Sequence, residues 1–424
     1  MNRQDSLYSV YVQILKEELV MAMGCTEPIA ISYAAAKATN LLGHQPQRIL
    51  IKASGSIIKN VKSVIVPHTN GLKGIEVAAA AGALYGKANQ KLEVLSNATK
   101  QEISQLPNYL KEVDITVQHY ENGHAFDLIC TVYYEHEQAS VHIMDTHTNI
   151  VSMEKNWQII YEDQKSTQTR KVDHSALSMK QIWDFSQCVE IEDIQETLDQ
   201  QISCNMAIAK EGITHSYGAN IGHVILDMDT DCVKTKAKAY AAAASDARMN
   251  GCELPVVINS GSGNQGITCS VPIVVYAHAL HASKEQIYRA LVLSNLTAIY
   301  IKTGIGILSA FCGAVSAGAA AGAGIAYLCG GKYEEIQHTI VNALAILSGT
   351  ICDGAKASCA AKIASSVDAG IMGYYMFKNH QQFYAGDGIV AHSVDQTIKN
   401  IGTLGSQGML TTNDKIIEMM ISCD

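Results

Sequence analysis

The sequence predicts an α+β protein, in which a large, mostly helical domain is interrupted by an inserted mixed α/β domain. Three observations carry this expectation. From residue 171 onward, apolar residues recur at helical spacing with almost no strand-like run. Between residues 45 and 170 the texture changes to short runs rich in β-branched and aromatic residues. Residues 1–44 are again helical in texture, so they group with 171–424 and leave 45–170 as the insertion. A chain of 424 residues is also too long for one simple core, which makes two domains the natural expectation.

Residues 6–22 set Leu7, Val10, Val12, Leu15, Leu19 and Val20 against Lys16, Glu17 and Glu18, predicting a first helix. A second helix is predicted to open at Pro28 and run through the Ala-rich segment to Leu42. Then come six strand-like runs: RILIK (48–52), SVIVP (63–67), LEVL (92–95), VDITVQHY (113–120), FDLICTVYY (126–134) and ASVHIMDTHTNIVSM (139–153). Helical pieces at 75–86 and 98–106 lie between them. A polar linker, Glu162 to Arg170, closes the insertion. Amphipathic helices are then predicted near 179–186, 192–211, 232–249, 284–301, 333–348 and 357–378, with PVVIN (255–259) as the one strand. No internal repeat is present.

Composition narrows the function. With 48% hydrophobic and 17% charged residues, the chain is not of the disordered class. A net charge of −9 without a basic run argues against nucleic acid or an anionic membrane as partner. The N-terminus carries acids within its apolar pattern and lacks a signal-peptide core, so the expected location is the cytoplasm. Between Lys302 and Lys332 no residue is charged, a length that could span a bilayer. Its centre is Ala and Gly with few of the large residues that favour insertion, so it reads as a buried helix with no membrane role. Such Ala/Gly-rich surfaces also allow a homodimer.

Twelve cysteines are scattered along the chain and do not form a small disulfide framework. In a reducing compartment most cysteines act as small buried hydrophobes, so the question is which few do not. Gly24-Cys25-Thr26-Glu27-Pro28 is the first motif. Thr26 can cap a helix whose first turn accepts Pro28, and a cysteine just before a helix N-terminus is favoured as a thiolate. Cys25 is thus a candidate nucleophile or base, or else fills a helix–helix corner.

Ile351-Cys352-Asp353-Gly354-Ala355-Lys356-Ala357-Ser358-Cys359 is the second motif. Two cysteines there, one in a Gly-containing loop and one in the next helical turn, can converge on one inorganic cluster, although the spacing is not that of common zinc sites or ferredoxins. A third ligand must come from elsewhere, with Cys312 and Cys269 as candidates. Three thiolates on a [4Fe–4S] cluster would leave one iron open as a Lewis acid.

The third motif, Ser260-Gly261-Ser262-Gly263-Asn264-Gln265-Gly266, contains a GxGxxG pattern. The segment after it has a proline at 272, does not read as an amphipathic helix and sits in no βαβ alternation, which speaks against a dinucleotide site. Asn264 and Gln265 suggest instead a loop for a small polar ligand. Two further polar loops, Pro67-His68-Thr69-Asn70-Gly71 and the one around His147, read as structural.

With these motifs in view, the chain resembles the L-cysteine desulfidase family, related to the iron–sulfur L-serine dehydratase α subunit. The resemblance rests on MGCTEP (23–28), SGSIIKN (54–60), SGSGNQG (260–266), ICDGAKASC (351–359) and GSQGM (405–409), in that order. It implies a lyase that converts L-cysteine and water to pyruvate, sulfide and ammonia without pyridoxal phosphate. It also implies that Cys312, Cys352 and Cys359 hold a [4Fe–4S] cluster and that Cys25 is the proton-abstracting base. The sequence departs from the family pattern at PHTNG (67–71), where a shorter, glycine-richer turn is expected, which bears on any role for His68 or Thr69. Asn264, Gln265 and Lys356 are candidates for binding the amino-acid substrate, and Cys423 is a candidate fourth ligand or an end-of-chain thiol. L-serine dehydration by the same apparatus is the nearest rival activity, and a nicotinamide-dependent oxidoreductase the remote one.

Overall fold

The computed structural model describes residues 1–163, 172–229 and 232–421. The expected linker therefore lies largely outside the described residues, as does Cys423. Helices α1 (Ser6–Glu18) and α2 (Thr26–Leu42) flank a short strand, β1 (Met21–Met23). Next come β2 (Arg48–Ala53), α3 (Gly55–Val61), α4 (Ile75–Tyr85), α5 (Lys100–Glu112) and the strands β3 (Asp114–His119), β4 (Asp127–Tyr134), β5 (Glu137–Met144), β6 (Ile150–Lys155) and β7 (Gln158–Glu162). The rest is helical: α6 (Met179–Cys188), α7 (Gln195–Thr214), α8 (Ile221–Met228) and α9 (Val233–Met249), then strand β8 (Pro255–Val257) and α10 (Gly263–Ala279). The chain ends with α11 (Lys284–Ile305), α12 (Gly313–Leu328), α13 (Tyr333–Leu347), α14 (Cys359–Lys378), α15 (Val394–Thr403) and α16 (Leu410–Ile421).

Strands β2 to β7 form one sheet in the order β3-β2-β4-β5-β6-β7, parallel between β2 and β3 and antiparallel elsewhere. Alternation explains the register: Ile49, Ile51 and Ala53 of β2 and Leu128, Cys130 and Val132 of β4 all bury on one face. Two expected strands differ. SVIVP keeps only one bridge, Ile65 to Lys73, because Pro67 cannot continue a ladder, and residues 88–93, reaching into LEVL, form a 3₁₀ helix. The run at 139–153 is broken by a turn at 145–149, so His147 sits between β5 and β6.

Residues 1–44 do not stay together. Tyr8, Tyr11, Ile14 and Leu15 of α1 join the core of the helical part. The buried face of α2 (Ile29, Ile31, Tyr33, Leu42) joins the core of the sheet instead. Almost all of α2 is buried, so its sequence carries no stripe that could indicate which core it serves.

The charge-free stretch becomes α12, buried along nearly its whole length among α10, α11, α13 and α14. Gly322 and Gly370 let α12 and α14 touch: a Cβ on Gly322 would lie 2.5 Å from the Gly370 carbonyl oxygen. The small residues expected to offer a homodimer surface are thus used inside the fold. Among the described residues, no helix is long and apolar enough to cross a membrane.

The segment after the third motif corrects the sequence reading. It is a helix, α10, with Ser262 capping Gln265 and Pro272 in its interior. Because it is buried almost all round, it lacks the amphipathic period that reveals a surface helix. Strand β8 before it pairs antiparallel with β1, Met21 opposite Val257, and not in the parallel βαβ arrangement of dinucleotide folds.

Candidate active site

Four segments carry the residues singled out in the sequence onto one cavity of about 130 Å³ at the junction of the sheet and the helical part: the start of α2, the segment that opens α10, the chain from α11 to α12, and the loop into α14. Cys25, Asn264, Gln265, Cys312, Cys352 and Cys359 all line it. Two backbone bonds set the cysteines of the third and fourth segments side by side. Cys312 N–H donates to the Thr350 carbonyl at 3.0 Å, and Cys352 N–H donates to the Ala310 carbonyl at 2.6 Å. Cys312 is the N-cap of α12 and Cys359 the first residue of α14, with its thiol 3.7 Å from the Gly354 carbonyl. Gly354 has φ +97° and lies so close to Lys59 that a Cβ would be 2.3 Å from the Lys59 carbonyl oxygen.

Lys59, from α3, is buried and reaches across the junction. Its ammonium donates to Asn413 Oδ1 at 2.7 Å and to the Cys352 carbonyl at 3.3 Å. The Cys312 and Cys352 thiols interact directly. That contact, helped by the Lys59 and Lys302 charges against burial, draws the Cys352 thiol down, while contact with Cys352 and burial push Cys312 up. Burial pushes Cys359 up as well. Among the described residues, no group of three or more His, Cys, Asp or Glu side chains is arranged to hold a metal ion.

Cys25, not Thr26, is the N-cap of α2. Its thiol donates to Glu27 Oε2 at 3.1 Å. Glu27 Oε2 also accepts from Thr26 Oγ1 at 3.1 Å, and Glu27 Oε1 accepts from Asn60 at 3.0 Å. His147 Nε2 lies 4.0 Å from Glu27 Oε1. The expectation of a thiolate at Cys25 fails here: burial and the Glu27 charge raise the thiol well above its ordinary value and outweigh Arg248. Burial alone would raise Glu27, yet His147 and the Cys25 donor hold it at about 2.

Lys356 does not line the cavity. Asp353, three residues earlier, holds its ammonium at 2.5 Å. Lys362, one turn into α14, lines the cavity instead, bound to Asp353 at 2.5 Å and to the Ile351 carbonyl at 2.9 Å. Cys269 is on α10 among Ala298, Ala317 and Ala320, away from the other thiols. His68 and Thr69 are held within their own surroundings, His68 by Glu253 at 3.1 Å and Thr69 by the Val66 carbonyl at 2.7 Å.

Sequence reasoning missed several lining residues: Glu27, Asn60, His147, Arg248, Lys302 and Lys362. Asn60 and Glu27 stand inside the motifs SGSIIKN and MGCTEP, which is the signal that could have found them. Four buried polar atoms on the cavity have no hydrogen-bond partner among the described residues: Asn60 Oδ1, His147 Nε2, Arg248 Nε and Gln265 Oε1. Orphaned polar atoms converging on one space call for a polar ligand.

A family model for the serine dehydratase alpha chain matches residues 89–418, more than three-quarters of the chain. The chain belongs to the serine dehydratase alpha chain family. It is 53% identical over 424 residues to the UPF0597 protein of Desulfitobacterium hafniense (strain Y51), covering all of this chain and 99% of that one. The UPF0597 proteins of Finegoldia magna and Treponema denticola are 47% and 43% identical, covering 97% and 99% of this chain and 99% and 100% of theirs. Membership in the serine dehydratase alpha chain family makes the chain a lyase of the dehydratase type. The matched region holds Cys312, Cys352, Cys359, Asn264 and Gln265, whereas Cys25, Glu27 and Asn60 precede it.

Proposed function

We propose that this lyase is iron–sulfur dependent and eliminates the β-substituent of a small amino acid, converting L-cysteine and water to pyruvate, sulfide and ammonia. The observation that carries the reading is the convergence of Cys312, Cys352 and Cys359 on the cavity that Cys25 also lines. The donor set fits a [4Fe–4S] cluster: three thiols, with the Lys302 and Lys362 ammoniums beside them to offset thiolate charge. A cluster brings its own sulfides and spans the space between its thiolates. Its ligands therefore need not gather on one point as they must for a single ion. When bound, a cluster with three protein thiolates supplies an open iron that acts as a Lewis acid on the leaving group. Pyridoxal phosphate has no part in this reading.

The remaining roles fall to the chain's own side chains. Cys25 Sγ takes the substrate's α-proton. Its own proton must leave first, and Glu27 Oε2, at 3.1 Å, is the nearest acceptor. Gln265 Oε1 and Asn60 Oδ1 are free acceptors for the α-ammonium group, and Asn264 belongs to the same substrate-binding set. Loss of the α-proton and the β-sulfur leaves aminoacrylate, which takes up water and releases ammonia to give pyruvate. The reading includes a cytoplasmic location, where the eleven free cysteines among the described residues stay reduced, and allows a homodimer.

L-serine is the second substrate to weigh, because the matching family is named for it. The test is anaerobic purification, iron and sulfide analysis, and pyruvate formation from each amino acid. Iron with at least tenfold greater kcat/KM for L-cysteine supports the reading, and the reverse ratio moves the substrate to L-serine. No pyruvate from either, in iron-loaded protein, refutes it.

A further inference from the structure

We infer that Arg248, assisted by Lys302, binds the carboxylate of the substrate, so that the site requires a short-chain carboxylic acid and rejects the corresponding amine. The inference rests on the lyase reading only for the identity of the acid.

Arg248 lies in the last turn of α9 and is 3% exposed. A guanidinium keeps its proton at any ordinary pH, so a buried one needs an anion or a full set of acceptors. Arg248 has neither. Its Nη1 donates to Asn264 Oδ1 at 3.1 Å, its Nε has no partner, and no carboxylate of the described residues pairs with it. Two groups nearby are candidates to answer its charge, and neither does. Cys25 is held as a neutral thiol, and Glu27 is occupied by Cys25, Thr26 and Asn60.

Lys302 is a second cation on the same wall, its charge also facing the Cys312 and Cys352 thiols. It sits in the last turn of α11, lines the cavity, and forms no hydrogen bond or ion pair through its side chain with the described residues. Lys362, the third cation on the wall, is already bound to Asp353. The cavity therefore presents one cation without an anionic partner, Arg248, a second, Lys302, whose charge is shared with the Cys312 and Cys352 thiols, and one committed carboxylate. A planar carboxylate satisfies the guanidinium fork through paired N–H donors. Asn264, through its bond to Arg248, acts as the positioning residue that holds the fork toward the cavity.

The test uses propionate and L-alanine, acids without a leaving group, titrated calorimetrically into the anaerobically purified protein. The parent should bind both. Arg248→Gln should weaken both at least tenfold and Lys302→Gln by a smaller factor, while Arg248→Lys should recover part of the loss. Far-UV circular dichroism checks the fold. If Arg248→Gln does not fold, Arg248→Lys and Lys302→Gln carry the comparison. Binding of both acids within twofold of the parent in the folded variants overturns the inference, and so does a parent that binds neither acid. The lyase reading fails separately: Arg248-dependent binding of the acids, with no pyruvate from L-cysteine or L-serine, keeps this subsite and removes the reaction. Pyruvate formation with an unchanged KM in Arg248→Gln does the opposite.

Discussion

The Cys25 thiol donates to the Glu27 carboxylate at 3.1 Å, and both groups are buried at the first turn of α2. A helix N-terminus favours a thiolate, but burial, and after it the Glu27 carboxylate two residues away, oppose it more strongly. Cys25 therefore rests as a thiol with its proton already directed at an acceptor. Any basic action at Sγ must start with transfer of that proton.

Replacing Cys25 tests that role. Cys25→Ser should retain iron and fold yet lose about 10²–10⁴-fold in pyruvate formation, the range for a positioned general base. Turnover within a few fold of the parent would reduce Cys25 to a packing residue.

Glu27 should shape the acid limb of stability. Its folded pKa is about 2, against an ordinary 4.5. As pH falls from about 4.5 to 2, the unfolded chain binds a proton that the folded chain does not, so stability is lost through that window. Urea unfolding of Glu27→Gln across pH 5 to 2 should show a shallower decline than the parent, by up to about 1.4 kcal/mol per pH unit. Parallel curves would contradict the ionised carboxylate.

The three converging thiols give a sharper contrast. Cys312→Ser, Cys352→Ser and Cys359→Ser should each lose most of the iron and nearly all activity. Cys130→Ser and Cys188→Ser should lose neither, since Cys130 is in the sheet core and Cys188 ends α6. Exposure of the parent to air should strip iron and activity together, and anaerobic reconstitution should restore both. Full iron content in Cys359→Ser would remove it from the ligand set.

Gly354→Ala tests the junction. The new Cβ would meet the Lys59 carbonyl, and the φ of +97° disfavours any side chain. Denaturant unfolding should show a loss of about 1–3 kcal/mol, with reduced iron because Cys352 is two residues away. A change below about 0.5 kcal/mol would mean that the loop moves freely against α3.

Helices with one polar face were legible in the sequence. Met179–Cys188 and Gln195–Thr214 bury residues at helical spacing and leave the other side open, and the periodicity reflects it directly. Strands β2 and β4 were legible because one face of each is buried. Elements buried all round, or made only by a distant partner, were not. Helix α10 has no polar stripe, and the three residues of β1 become a strand only by pairing with β8, more than 200 positions away. The site divides the same way. Cys25, Cys352 and Cys359 stand out because their neighbouring motifs are local and chemically unusual, whereas only the family resemblance separates Cys312 from Cys269. Arg248, Lys302 and His147 are single polar residues in ordinary contexts, each of which could as well face water. The sequence by itself determined the α+β class, the helical surface patterns and the cysteines to watch. Only the tertiary structure decided that Asp353 takes Lys356, that α2 serves the sheet, and that Arg248 is buried without an anion. Spacing belongs to a stretch of chain, whereas compensation of a charge depends on every segment packed around it.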